Sequence, residues 1–189
     1  ADYAMIITNK AYAIGLLGQA TVAIEWYERA LAVFELLCNE AASACMPYAQ
    51  SQMARTLMNM ANSMQSLGRL QESIEVYERA ENLWRHIIPS QGVPSSVIDN
   101  EVAKTIMNSS GAYAGLGAVK HALELVSKSI TIWTRLCAHE DQPGIAEDSC
   151  NSRSRILIFH GRSFKIRPYL KATSRNVKAN ARRLPYLRR

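Results

Sequence analysis

Leu67-Gly68-Arg69-Leu70-Gln71-Glu72-Ser73-Ile74-Glu75-Val76-Tyr77-Glu78-Arg79-Ala80, continued to Trp84, is the stretch whose reading decides the fold. Its residue types recur on both sides. Leu17-Gly18 leads to Ala23-Ile24, Tyr27, Ala30 and Phe34, and Leu116-Gly117 leads to Ala122-Leu123, Val126, Ser129 and Trp133. The three glycines are 50 and then 49 residues apart. Self-similarity at such a period marks an array in which each unit is a supersecondary element that buries its apolar face only against its neighbours.

The residues before each glycine predict a helix. Ile7, Ala11, Ile14 and Leu17 fall at three- and four-residue steps. So do Leu57, Met60, Ala61, Met64 and Leu67 in the second unit, and Ile106, Ser110, Tyr113 and Leu116 in the third. Such spacing lines one helical face. After the glycine, Ala23, Ile24, Tyr27, Ala30, Leu31, Phe34 and Leu37 keep the same period, and Gly18 supplies the permissive backbone that ends the first helix. Each unit therefore reads as a helical hairpin with a very short turn. Ala11, Ala61, Ala23, Ser73 and Ala122 put small residues where the two helices come closest, as close packing requires.

On these residues the chain resembles the tetratricopeptide repeat (TPR) family over roughly residues 2–138. The L-G turn, the small residue five places later, the aromatic at Tyr27 and Tyr77, and the small residue at Ala30 and Ala80 stand where that family's pattern puts them. The third unit departs from it with Val126 and Ser129. The period is longer than the family's basic ~34 residues and is similar to the extended repeats of kinesin light chains and bacterial regulatory arrays. The resemblance implies an all-α fold, a right-handed α-solenoid of three TPR-like hairpins at about 2–38, 50–88 and 98–138. The repeat domain would occupy 1–148 and a basic extension 149–189.

Composition agrees with a helical array: hydrophobic residues make up 48% of the chain, with nine glycines and six prolines. No run approaches the ~18–20 apolar residues that span a bilayer, so no integral membrane association is expected. Cys38, Cys45, Cys137 and Cys150 form no CxxC pair and have no histidine at ligand spacing; they read as reduced packing thiols, and no metal or cofactor is expected. There is no secretory apolar segment at the start, and a chain that opens on Ala1 reads as one that has lost a leader or as a fragment. The expected location is intracellular, cytoplasmic or alternatively organellar.

Charge is split sharply along the chain. Residues 151–189 hold nine arginines, three lysines and no acid, a net +12, whereas the preceding 150 residues hold ten basic and sixteen acidic residues, a net −6. Arg153, Arg155, Arg162, Lys165, Arg167, Lys171, Arg175, Lys178, Arg182 and Arg183 are interleaved with Phe159, Phe164 and Tyr169. Three readings of this tail stay open. It lies on RNA or DNA through counterion release and stacking; it docks on an acidic protein face, with Ile156–Phe159 as apolar anchor; or it extends or caps the array in place of a fourth repeat.

Catalysis has little support. His86, His121, His139 and His160 are scattered, and no P-loop, H-E-x-x-H or G-x-S-x-G motif occurs. Glu25, Glu28, Glu75 and Glu78 recur beside Arg29 and Arg79 and read as a solvated helix face with local ion pairs. In the family that the chain resembles, the first helix of each hairpin lines a peptide groove. Asn9, Asn59 and Asn108 recur nine residues before each glycine, and Asn59 and Lys104 stand where chaperone-binding members hold a peptide carboxylate. Thr8, Tyr12 and Asn108 replace the lysine, asparagine and arginine of that clamp, so chaperone C-termini are not the expected ligand. The asparagines read equally as groove residues or as structural partners of backbone groups. The expectation is a non-catalytic scaffold or adaptor that binds a peptide or protein partner and is anchored by its basic tail. The alternative is a ribonucleoprotein subunit, as in an organellar ribosome, with residues 151–189 on RNA.

Overall fold

The computed structural model describes residues 2–40, 46–89 and 93–138, and the whole basic tail lies outside them. The fold is all-α. Among the described residues six helices follow one another: α1 (Asp2–Leu16), α2 (Ala20–Glu40), α3 (Met46–Ser66), α4 (Leu70–His86), α5 (Ser95–Gly115) and α6 (Val119–Ala138). They pair as three TPR-like hairpins, α1 with α2, α3 with α4 and α5 with α6, and each hairpin packs on the next through α2 on α3 and α4 on α5.

All three turns use one device. Gly18, Gly68 and Gly117 have φ of 79°, 76° and 82°. In this left-handed conformation the Gly18 N–H donates to the Gly15 carbonyl at 3.0 Å and the Gln19 N–H to the Ile14 carbonyl at 3.2 Å. Gly68 and Arg69, and Gly117 and Ala118, repeat both bonds. This is the Schellman arrangement, which satisfies carbonyls that a helix end leaves open. A Cβ at Gly68 would meet nothing within 4 Å, so only backbone strain opposes a side chain there. Gly68→Ala is expected to cost about 1–2 kcal/mol, the left-handed penalty of an L-residue; chemical denaturation measures it.

The core follows the repeated positions. Ala11, Ala61, Ala23, Ser73, Ala30, Ala80 and Ser129 are fully buried, as are Phe34 and Trp84, with Tyr27, Tyr77 and Trp133 nearly so. Burial raises the Tyr27 hydroxyl to about 12, with Tyr12 a lesser contributor. One cluster joins the first two hairpins through Ile24, Tyr27, Leu31, Leu57, Met60 and Tyr77, and a second joins the last two through Ala54, Trp84, Val102, Ile106 and Leu125. Threonine hydroxyls between hairpins have partners: Thr8 Oγ1 lies 3.0 Å from Thr56 Oγ1, and Thr105 Oγ1 donates to Met58 Sδ at 3.6 Å. Ser129, in place of the small apolar residue, donates to the Val126 carbonyl at 2.8 Å.

Two details of the sequence reading are corrected. Leu17, Leu67 and Leu116 are 76%, 42% and 49% exposed rather than in the apolar seam, because the chain already turns away from the packed face at that point. Glu25, Glu28, Glu75 and Glu78 are exposed, but the ion pairs expected with Arg29 and Arg79 do not form among the described residues. Arg29 instead lies over the Trp26 ring at 4.7 Å, and Glu78 accepts a bond from the Tyr113 hydroxyl at 3.1 Å. No helix among the described residues is long and apolar enough to cross a membrane.

Candidate functional site

The hairpins align by their glycines, so positions on α1, α3 and α5 can be compared at equal offsets. Thirteen residues before the glycine stand Met5, Arg55 and Lys104; sixteen before it stand Asp2, Gln52 and Glu101. Of these, Met5, Gln52, Arg55, Glu101 and Lys104 border one opening together with Asn9 and Asn59. There the structure has a groove of about 660 Å³, lined among others by Met5, Asn9, Tyr12, Tyr48, Arg55, Asn59, Glu101 and Lys104.

The electrostatic centre of the groove is Glu101. Its carboxylate is 8% exposed and takes Lys104 Nζ at 3.2 Å and Arg55 Nη2 at 3.5 Å on the same oxygen. The Lys104 pair is a helix-face i,i+3 contact, whereas Arg55 reaches it from the neighbouring hairpin. Both cations are partly exposed, at 34% and 42%. Two cations share one carboxylate, so the groove keeps one positive charge in excess. At the other end the Tyr48 hydroxyl lies 3.1 Å from Met5 Sδ, beside Tyr12. The groove therefore sets Met5, Tyr12 and Tyr48 beside the amides of Asn9, Gln52 and Asn59 between α1 and α3, and is cationic between α3 and α5.

Asn9, Asn59 and Lys104 line this groove together. Among the described residues, neither Asn9 nor Asn59 commits its side-chain amide to a hydrogen bond. Asn108 is half-buried on α5 and is not part of the lining. Asn9 and Asn59 each have a following first helix to close the space beside them, and among the described residues Asn108 has none. The tail cations from Arg153 to Arg183 lie outside the described residues. Arg55 and Glu101 are the groove residues that the sequence reading missed. Counting back from the glycine would have pointed to Arg55, the register equivalent of Lys104, whereas Glu101 shares its offset with Asp2 and Gln52 and carries no such signal. Among the described residues no group of histidines, cysteines and acids is placed to hold a metal ion.

No family model matches the sequence, and no curated protein matches it. Among solved structures the chain is similar to a Podosopora anserina putative kinesin light chain with nearly identical TPR-like repeats. The two are 14% identical with a TM-score of 0.45, over 85% of this chain and 76% of that chain.

Proposed function

We propose that the chain is a non-catalytic interaction module that holds an extended segment of a partner protein in the groove of its first helices. The carrying observation is the pairing of unused amides at Asn9 and Asn59 with the surplus cation of the Arg55–Glu101–Lys104 cluster. An extended peptide needs amides along its path to meet its backbone, and an acidic group on it meets the excess charge. The part-buried position of the cluster makes that attraction stronger than at an open surface. Apolar side chains of the peptide would rest at the Met5, Tyr12 and Tyr48 end. The cationic tail gives such a module an electrostatic anchor on a larger assembly.

The test is fluorescence anisotropy with three pools of extended peptides that differ only in being acidic, neutral or basic. The acidic pool should bind best. Lys104→Ala should weaken it several-fold while Arg55 still holds Glu101, and Glu101→Gln, which adds to the surplus, should tighten it. Asn59→Ala should lower affinity and leave the melting temperature unchanged. Equal binding of acidic and basic pools, or loss of binding only in step with loss of stability, would refute the reading.

A further inference from the structure

The first helices that line the groove touch one another in succession. Thr8 Oγ1 of α1 lies 3.0 Å from Thr56 Oγ1 of α3, and Arg55 Nη2 of α3 lies 3.5 Å from Glu101 Oε1 of α5. Helices in such contact have axes about 8–10 Å apart. A segment that crosses them therefore meets equivalent positions once per helix, Asn9 and then Asn59, Arg55 and then Lys104. In a polyproline II segment the chain rises about 3.1 Å per residue and returns to the same face every three residues, an advance of about 9 Å that keeps step with the helices. A β-strand returns to its face every second residue, after about 6.6–6.8 Å, and is out of step at the next helix.

The chemistry of the wall agrees with that period. Away from their first turns, α1, α3 and α5 keep their backbone N–H and C=O groups for their own helical bonds. Such a wall has no ladder edge on which a β-strand could pair. It has single side-chain donors instead: among the described residues the amides of Asn9, Gln52 and Asn59 are uncommitted. A polyproline II backbone makes no internal hydrogen bonds, so its carbonyls are free to take donors placed singly along its path. Tyr12 and Tyr48 border the same opening at 52% and 40% exposure, and aromatic-lined grooves are where proline-rich segments dock. The Tyr48 hydroxyl, 3.1 Å from Met5 Sδ, holds that ring in place before anything binds, which lowers the ordering cost of using it. Resting on the groove as the binding site, we infer that its occupant is a polyproline II segment of a partner protein, with a proline or other apolar residue at the tyrosines and an acidic side chain three residues away on the Arg55–Lys104 cations. The cluster's surplus of one positive charge matches a single carboxylate.

Fluorescence anisotropy with short labelled peptides tests this on the full chain. Each peptide carries one apolar and one acidic residue placed two, three or four positions apart, in both orders, with either prolines or glycines at the remaining positions; a control series has lysine in place of the acid. The three-residue spacing with prolines should bind tightest. Its glycine counterpart has to be ordered on binding and should be weaker on the order of tenfold. Tyr12→Ala and Tyr48→Ala should erase the preference for proline, whereas Lys104→Ala should weaken proline and glycine peptides alike. These side chains are exposed or partly so, and circular dichroism should show unchanged melting. If acidic peptides bind better than the lysine controls but glycine serves as well as proline, or the two- and four-residue spacings serve as well as three, the polyproline II inference is overturned and the acidic preference of the groove stands. If acidic and lysine peptides bind alike, or an acidic preference survives Lys104→Ala undiminished, the groove reading itself fails and the inference fails with it.

Discussion

Replacing Trp84 with alanine is expected to lower the stability of the repeat domain by about 3–5 kcal/mol, the range for deleting a large aromatic from a packed core. Trp84 is fully buried at the seam of the second and third hairpins, in the cluster with Ala54, Val93, Val102 and Leu125. Such a loss is a large share of the ~5–15 kcal/mol that holds a domain together. Its indole N–H has no hydrogen-bond partner among the described residues. The equivalent Trp133 donates its N–H to Asn100 Oδ1 at 3.0 Å. An unpartnered buried N–H costs about 1–3 kcal/mol, so a substitution that deletes the N–H with the same loss of ring volume at both positions separates the two sites. Trp84→Phe should cost clearly less than Trp133→Phe in urea denaturation. A cost of Trp84→Ala below about 1 kcal/mol would mean that the second and third hairpins do not share the seam described.

The difference between those tryptophans shows what repetition makes legible. Position was readable because Phe34, Trp84 and Trp133 return at a fixed distance from Gly18, Gly68 and Gly117. The partner of each was not, because Ser51 stands in the second unit where Asn100 stands in the third, and nothing local distinguishes a bonded indole from an unbonded one. The leucines before the glycines were misread for a related reason. A three- and four-residue period does not reveal the residue at which a helix stops presenting its face to a neighbour, and capping geometry decides that.

The groove was legible in part. Spacing singled out Asn9 and Asn59 and likeness to a clamp singled out Lys104, and all three line one space. Arg55 and Glu101 were not found, because a lone charge on a helix reads as solvated until a second hairpin brings its partner within reach. Glu101 makes a pair within its own helix and another across the hairpin boundary on one oxygen. Only the stacking of units turns that carboxylate into the floor of a site with excess positive charge.

Ala80→Trp is expected to destabilise the array by roughly 1–3 kcal/mol or more, while Glu75→Gln changes stability by less than about 0.5 kcal/mol. Ala80 has no exposed surface and sits in the cluster that joins the first two hairpins, against Tyr77 and the helix-α3 residues Leu57, Met60 and Met64. Ala30 and Ser129 are as fully buried at the same position, so small size there is a rule of the repeat. An indole at Ala80 must push α4 away from α3 or force neighbouring side chains off their rotamers, and interiors packed to crystal density absorb neither cheaply. Glu75 lies one turn earlier on the solvent side of the same helix and makes no bond that the amide would lose among the described residues. Thermal melts of the two variants decide between them. Comparable shifts would mean that Ala80 does not lie between helices and that the register relating the three hairpins is wrong; a large shift confined to Ala80→Trp is what close approach at a fixed repeat position requires.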